Sequence, residues 1–471
     1  MVDAARFAEA VNDPDLRPEL AGTQYSVVPV AAPGAFHPKL VLQVGERTGR
    51  MWLGSHNLTE AGLNHNREVT TVVGTRSDDQ GRRLVRQGWR AVRGWLPSGP
   101  IGEEAADAFE RLAPWLDEVD EGGPMQLPTV LSSTPAEPLW PRLRLLLPPE
   151  VRRITVVGPF FDNRLAFLKA LRDELAPAEI RVGLQRESAT FPADRRHDLP
   201  TGVKMVSASG LLDTTRPAAY LHAKALMFEW DDRTVLVTGS ANPSAPAFLG
   251  GDGANCEAVV VQELEGSNDP LDLRLLREAA LLTEADWEWF PPSIPYEPGP
   301  PSILVRLGTA DHGEIVLETT MDGITEVRFI GDSDRLLRTQ LHDGVLSRIS
   351  VPDGVPMEAV RWLELWGDDA LAARVLVHHR RVLRRLCRTG AEQRMIEVLQ
   401  SMETNHPDLA NLIMLLDPLL DEQVQTRMVS SGGSRYLGGS KRRSALAGST
   451  SQLRLMQMAR TCTPRRVGSP R

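Results

Sequence analysis

Two sets of polar residues in this chain have the same residue types at the same spacing. Each set has a histidine, a lysine two residues later, and an asparagine 18 residues after that lysine. The sets are His37/Lys39/Asn57 and His222/Lys224/Asn242. Imidazole can act as a nucleophile or as an acid or base near neutral pH. Lysine supplies positive charge and asparagine supplies a neutral donor, so the combination suits displacement at an anionic phosphoryl centre.

Further polar residues follow the same repeat. Before each asparagine stands a Gly-Ser pair, separated from it by one residue. Two residues after each asparagine comes a serine or threonine, and a glutamate begins the last strand of each copy. We expect four hydroxyls to donate hydrogen bonds to the substrate, namely Ser55, Thr59, Ser240 and Ser244. Glu68 and Glu257 are candidates to hold the histidine rings in the required tautomer. The sequence leaves open whether each glutamate serves its own histidine or the opposite one.

The combination of His-x-Lys with a downstream Gly-Ser-x-Asn in two copies resembles the phospholipase D superfamily. The resemblance covers about residues 35–260. The aspartate that normally follows the lysine is replaced by Val44 in the first copy and Glu229 in the second. In this respect the chain resembles the His-Lys-Asn subgroup, which includes tyrosyl-DNA phosphodiesterases. The run GSHNLTEAGLNHNRE also resembles bacterial nucleases of this type that are attached to helicase or restriction systems.

The resemblance implies a two-step reaction through a phosphohistidine. It implies that His37 is the nucleophile and His222 the acid and base, an assignment that the residues alone leave open. It implies no metal and no cofactor, with DNA or RNA as the substrate and a helicase or a restriction or defence system as a possible partner. General acid–base assistance of this kind typically contributes ~10²–10⁴-fold to the rate.

The elements around both sets predict an α/β fold. Each copy has the pattern of strand, turn, strand, polar loop and strand, which predicts two pseudo-symmetric phospholipase D-like α-β-α lobes with a mixed sheet. A strand and a helix precede the second copy from about residue 151, but the first copy has no counterpart. We expect that the chain starts late, through truncation or a mis-chosen start codon. An asymmetric first lobe is the alternative.

The remaining organisation follows from linkers and turn signals. The predicted units are a first lobe at 1–120, a linker at 121–140, a second lobe at 141–290, a small β-rich domain at 302–378, a helical segment at 379–425 and a basic, disordered tail at 426–471. Asp-Gly pairs between short alternating runs indicate the β-rich domain. His378 and His379 have no third metal ligand nearby in sequence, so they do not indicate a metal site. We expect both to lie on a surface helix.

Composition constrains the setting of the protein. Apolar residues make up 42% and charged residues 24%, as in ordinary globular proteins. Three cysteines far apart in sequence predict neither a disulfide framework nor a zinc site. Together with the lack of a signal sequence and of an apolar span, this indicates a cytoplasmic protein without membrane contact. The net charge is −9 although residues 423–471 contain ten Lys and Arg and no Asp or Glu. Polyanions would therefore be attracted only by local patches or by the tail.

The sequence is compatible with three functions. The first is a metal-independent nuclease, which the missing aspartate and the GSHNLT run favour. The second is a lipid-acting phospholipase D, which the lack of a membrane feature disfavours. The third is a non-catalytic module of a defence or repair complex, which retention of both histidines and both lysines disfavours. The sequence does not determine the oligomeric state.

Overall fold

The computed structural model describes residues 1–75, 79–118, 126–186, 188–212, 220–266, 268–290, 303–386 and 454–456. Two α/β lobes and a third, β-rich sheet account for most of these residues. The predicted α/β class and the two-lobe arrangement are confirmed. Each lobe is built on one copy of the repeat, so the fold places the two polar sets next to the ends of corresponding strands.

The first lobe contains an antiparallel sheet with the order β20-β5-β4-β3. Its strands are β3 Leu40–Val44, β4 Gly49–Gly54, β5 Thr70–Gly74 and β20 Arg454–Met456. Two helices, α2 Asp79–Trp95 and α3 Pro100–Leu112, follow β5, with one-turn helices at Ala61–His65 and Pro114–Asp117. Strand β20 comes from the predicted disordered tail, and its pairing with β5 differs from that prediction. Within the described residues, β3 pairs only with β4.

The second lobe contains a seven-stranded mixed sheet with the order β6-β12-β11-β10-β7-β8-β9. Its strands are β6 Thr129–Ser132, β7 Arg153–Val157, β8 Glu179–Leu184, β9 Val203–Ser207, β10 Ala225–Glu229, β11 Thr234–Gly239 and β12 Ala258–Glu263. Its helices are α4 Leu139–Arg144, α5 Ala166–Leu175 and α6 Ala245–Phe248, with 3₁₀ turns at Ala193–Asp198, Ser209–Leu211, Leu273–Arg277 and Glu284–Trp289. The segment 121–140, predicted as a linker, contains β6 and the beginning of α4.

Strands β10, β11 and β12 correspond to β3, β4 and β5 of the first lobe. The second sheet continues beyond β10 through β7, β8 and β9, which run parallel to one another. The last four residues of β7 and the last three of β8 are buried on both faces, which explains this position, because parallel strands are covered on both sides. The strand and helix expected before the second copy are thus present as β7 and α5.

A third sheet follows the lobes and has the order β16-β15-β18-β19-β13-β14-β17. Its strands are β13 Leu304–Asp311, β14 Glu314–Met321, β15 Glu326–Ile330, β16 Leu336–Leu341, β17 Leu346–Ser350, β18 Trp362–Gly367 and β19 Ala370–His379. 3₁₀ turns lie at Asp332–Asp334 and Met357–Ala359, and α7 spans Arg380–Leu386. Because β19 extends to His379, both histidines predicted on a surface helix lie buried at the end of a strand.

The N-terminal segment packs against the third sheet. Its elements are β1 Val2–Asp3, α1 Ala4–Asn12 and β2 Pro29–Val30. Phe7 and Val11 of α1 share a buried cluster with Leu307 and Leu376. The rest of the predicted helical segment 379–425 beyond α7, and most of the tail, lie outside the described residues. No described helix is both long and apolar enough to span a membrane.

A glycine at the end of the second strand of each copy lets that strand approach its neighbour closely. A methyl group on Gly239 would clash with the backbone of Ala258 and Val259 on β12, and one on Gly54 would clash with the Val69 carbonyl. Both glycines immediately precede the serine of the Gly-Ser-x-Asn motif. The motif therefore requires glycine because the adjacent strand leaves no space for a side chain.

We expect Gly239→Ala to destabilise the protein by about 2 kcal/mol, since overpacking of this kind typically costs ~1–3 kcal/mol. Gly94→Ala is the control, because no atom lies within 4 Å of its added methyl group. That change in helix α2 should be neutral or stabilising by up to ~1 kcal/mol. Equilibrium chemical denaturation measures both. Equal stabilities for the two variants would contradict this account of the motif.

Candidate active site

Two short backbone bridges bring the copies together. The residue before each histidine pairs in parallel with the residue before the glutamate of the other copy, Phe36 with Cys256 and Leu221 with Arg67. The His37 amide donates to the Cys256 carbonyl at 3.0 Å, and the His222 amide donates to the Arg67 carbonyl at 3.0 Å. The equivalence of the two bridges gives the site a local pseudo-twofold symmetry.

The symmetric bridges cross the glutamates between copies. His37 Nδ1 lies 3.0 Å from both carboxylate oxygens of Glu257. His222 Nδ1 lies 2.7 Å from Glu68 Oε1. Each glutamate therefore orients the histidine of the opposite copy, which settles the question that the sequence left open. A carboxylate acceptor keeps the proton on Nδ1 and leaves Nε2 for chemistry.

Each glutamate is also held by a serine and an asparagine of its own copy. Ser55 Oγ donates to Glu68 Oε2 at 2.5 Å, and Asn66 Nδ2 donates to Oε1 at 3.2 Å. In the second copy, Ser240 Oγ donates to Glu257 Oε2, and Asn255 Nδ2 donates to Oε1 at 3.0 Å. These contacts repeat the pattern in both copies and fix both carboxylate oxygens.

The serines differ from their predicted role as substrate donors. Ser55 and Ser240 are fully buried, and each also accepts the amide of the next strand at 3.0 Å. Their hydroxyls therefore position the glutamates. The sequence shows which residue types recur but not which way a side chain at a strand end points.

The environment keeps both glutamates ionised. Burial acts to raise the pKa of Glu68, but the hydrogen bond and charge of His222 and the bond from Ser55 outweigh it, so the pKa lies below the ordinary value. Burial opposes ionisation of Glu257 in the same way, and the charge and hydrogen bond of His37 and the charge of Lys39 lower its pKa. Both carboxylates are thus anionic at neutral pH.

The two lysines lie beside the histidines. Lys39 Nζ donates to the His37 carbonyl at 2.9 Å, and Lys224 Nζ donates to the His222 carbonyl at 2.8 Å. Burial lowers the pKa of Lys39 to about 8, against the opposing effect of both glutamates. Burial lowers the pKa of Lys224 to about 7, and the charge of Lys39 contributes. Because the charge of Lys39 acts on Lys224 and the glutamates of both copies act on each lysine, the two half-sites form one electrostatic unit.

The two histidines differ in exposure. The His37 side chain is 26% exposed and the His222 side chain 8%. Burial lowers the pKa of His222, opposed by its hydrogen bond to Glu68. Lys224 Nζ lies 3.1 Å from His222 Nε2, whereas no hydrogen bond engages His37 Nε2 within the described part of the chain. The two rings therefore meet different surroundings despite the repeat.

The asparagines and their following hydroxyls also differ. Asn57 and Thr59 are exposed, and Thr59 Oγ1 accepts the Gly62 amide at 3.2 Å. Asn242 and Ser244 are buried, and Asn242 Oδ1 has no hydrogen-bond partner among the described residues. The structure thus buries Asn242 and leaves Asn57 on the exposed loop that precedes the one-turn helix Ala61–His65.

Two aromatic residues beside His222 were not among the predicted site residues. Phe160 follows β7, is 41% exposed, and meets the His222 ring edge-on at 6.4 Å between centroids. The Tyr220 ring lies 5.5 Å from the same imidazole. Phe160 belongs to the sequence GPFFD directly after a buried strand, and polar or aromatic residues at that edge of a sheet are a signal that could have identified it.

The arginines of helix α2 contact the protein itself. Arg82 and Arg86 pair with Glu118, and Arg83 donates to backbone carbonyls of residues 126 and 128. Arg93 pairs with Glu110. Among the described residues, no group of three or more His, Cys, Asp and Glu could hold a metal ion.

Comparison with known proteins adds little. No family model matches the chain, and no curated protein matches it. One solved structure that resembles it is polyphosphate kinase from Porphyromonas gingivalis, with 13% sequence identity and a TM-score of 0.30 over 53% of this chain. The match covers 33% of that enzyme, so the chain spans about a third of its length. Similarity at this level does not indicate a function. The function is therefore inferred from the site itself.

The lowered lysine pKa values predict pH-dependent anion binding. A bound anion favours charged lysines, so binding above pH 7 should take up protons and weaken as the pH rises. From pH 6.5 to 8.5 we expect sulfate, whose charge is constant in this range, to bind at least about tenfold more weakly. Titration calorimetry in two buffers of different ionisation enthalpy measures affinity and proton uptake together.

Lys224→Met should weaken sulfate binding and reduce the proton uptake. Lys204→Met is the matched control, because Lys204 pairs with Glu179 at the surface of β9, outside the site. An affinity that stays constant with pH in the wild-type protein would show that the lysines remain charged and would contradict the prediction.

Proposed function

We propose that this protein is a metal-independent phosphodiesterase of the phospholipase D type that hydrolyses nucleic acid through a phosphohistidine. The observation that carries the proposal is the pair of crossed His–Glu contacts, each with a buried lysine, in one electrostatic unit. Two oriented imidazoles and two cations supply the nucleophile, the acid and the positive charge that the reaction requires.

His37 is proposed as the nucleophile. Its Nε2 attacks phosphorus, the P–Nε2 bond forms, and the bond from phosphorus to the leaving oxygen breaks. His222, protonated at Nε2, gives that proton to the leaving oxygen. Neutral His222 then takes a proton from water, the water oxygen attacks phosphorus, and the P–Nε2 bond breaks to restore His37. The anionic Glu257 stabilises the positive charge that develops on His37.

The contrast between the two rings supports this assignment. His37 is the more exposed ring, and its Nε2 has no hydrogen-bond partner among the described residues. His222 is buried and its Nε2 already lies beside Lys224 Nζ, a second group that can hold a proton near neutral pH. Lys39, Lys224 and Asn242 are proposed to hold the phosphoryl oxygens. Lysine charge takes the place that a metal ion has in other phosphodiesterases.

Nucleic acid is the proposed substrate because of the exposed aromatic ring beside His222. Bases stack on aromatic faces, with a contribution of ~1–3 kcal/mol per base. We further propose a cytoplasmic location, where Cys256 remains a free buried thiol, and a helicase or restriction system as partner.

Cleavage assays in EDTA test the proposal. Labelled single-stranded and double-stranded DNA, RNA and phosphatidylcholine are incubated with wild-type protein, His37→Ala and His222→Ala. We expect nucleic-acid cleavage by the wild-type protein alone, with both variants reduced by at least ~10³-fold. Wild-type reactions quenched in alkaline detergent, in which phosphohistidine is stable, should carry labelled phosphate on His37, identified by peptide mass spectrometry.

Three other outcomes would contradict parts of the proposal. Label on His222 would reverse the two histidine roles. Headgroup release from phosphatidylcholine without nucleic-acid cleavage would make the protein a lipid-acting enzyme. No turnover of any substrate by folded protein would leave the non-catalytic module.

Phe160→Ala should raise the KM for a single-stranded oligonucleotide about tenfold with little change in kcat, as loss of one stacking contact predicts. An oligomer of abasic sites has the same phosphates without bases, so its KM should stay within about twofold. Leu341→Ala, which truncates an exposed apolar residue of the third sheet, is the control for surface changes. Equal effects of Phe160→Ala on both polymers would show that the ring does not contact a base.

A further inference from the structure

A cavity of about 450 Å³ lies behind the strand segment that carries His37 and Lys39. Its walls come from β3, helices α2 and α3, the N-terminal segment and the end of β19. The wall residues are mainly apolar and include Leu40, Leu42, Trp89, Val92, Trp95 and Phe109. A space of this size and character is typical of small-molecule sites.

The cavity is separate from the candidate active site. Phe36 and Pro38 line it, and they alternate with His37 and Lys39 along the chain. Successive side chains of an extended segment point to opposite faces. The catalytic set therefore faces the other lobe, and the cavity faces away from it.

One polar group in the cavity wall has an unused donor. His378 is 2% exposed, and its Nε2 accepts the Val27 amide at 3.1 Å. Burial lowers the pKa of His378 to about 4, so the ring is neutral at pH 7. Since Nε2 accepts, the single ring proton resides on Nδ1. That Nδ1 is buried without a hydrogen-bond partner in the described structure, and leaving such a donor unpaired costs free energy.

The mouth of the cavity has charges of both signs. Arg380 and Arg384 share the carboxylate of Glu104, and Arg111 lies nearby. The adjoining outer surface adds three acidic residues, Glu103, Asp107 and Glu110. Because neither sign dominates, the mouth does not favour a strongly charged ligand.

We propose that the cavity binds a small, uncharged and mainly apolar molecule with one carbonyl-type acceptor, which takes the hydrogen bond from His378 Nδ1. The apolar walls provide the affinity and the imidazole donor provides the selectivity. This site is independent of the proposed phosphodiesterase, because none of its contacts uses the catalytic set.

Two probes of nearly equal shape test the proposal, 2-acetylnaphthalene with a carbonyl and 2-ethylnaphthalene without one. The full-length protein is used without an N-terminal tag, since Met1 lines the cavity. Tryptophan fluorescence, to which Trp89 and Trp95 in the cavity wall contribute, follows binding, and ¹⁵N NMR of the histidine rings follows Nδ1 of His378. We expect the acetyl compound to bind about 3- to 10-fold more tightly, as one hydrogen bond predicts.

Two variants complete the test. Ala108→Trp, which fills the cavity from helix α3, should abolish binding of both probes, and His378→Phe should abolish the preference for the carbonyl. Saturable binding with a carbonyl preference and a shifted His378 Nδ1 resonance supports the site, even if His378→Phe fails to fold. Equal affinity for both probes, no saturable binding, or binding that survives Ala108→Trp would overturn it and leave an ordered water as the partner of Nδ1.

Discussion

The crossed contacts between histidines and glutamates are the constraint on which the rest of the site depends. Each imidazole takes its orientation from a carboxylate of the other lobe, so neither half-site can form alone. Both glutamates are buried, and a buried carboxylate without its partner is strongly destabilising. The docking of the two lobes and the assembly of the site are therefore one event.

The same contacts explain the lowered lysine pKa values. Glu68 and Glu257 are already engaged by the histidines, serines and asparagines, so they compensate the lysines only through space. Burial then dominates, and the ammonium groups are partly neutralised without a ligand. A phosphodiester would supply the missing negative charge at close range. Its attraction would offset the cost of charging both buried lysines, which favours substrates with phosphate over neutral ones.

Part of the site can be predicted from the sequence because its residues occur twice, with the same spacing in both copies. The identical spacing identified both histidines and both lysines as members of one pattern, and the α/β class followed from the alternation around them. The crossing of Glu68 and Glu257 was not predictable, since it depends on the bridges at Cys256 and Arg67 between distant segments. Local pattern also failed at His378, which was expected on a surface helix but lies on β19, where pairing with β13 and β18 determines its structure.

The asymmetry between the copies is as important as their likeness. A two-step phosphoryl transfer needs one imidazole that attacks and one that carries a proton, so two identical environments would serve poorly. In the described structure only the sheet of the second copy continues into strands β7 and β8, and residues that follow these strands contact His222 and its neighbour Leu221. Phe160 follows β7 and meets the ring, while Gln185 follows β8 and accepts the amide of Leu221 at 2.7 Å. In the first copy the corresponding amide, that of Phe36, donates to Asp3 Oδ2 at 2.8 Å. Among the described residues no aromatic ring packs on His37, which stays the more exposed imidazole. Under the proposed mechanism, the unequal sheets convert a duplicated motif into two different catalytic groups.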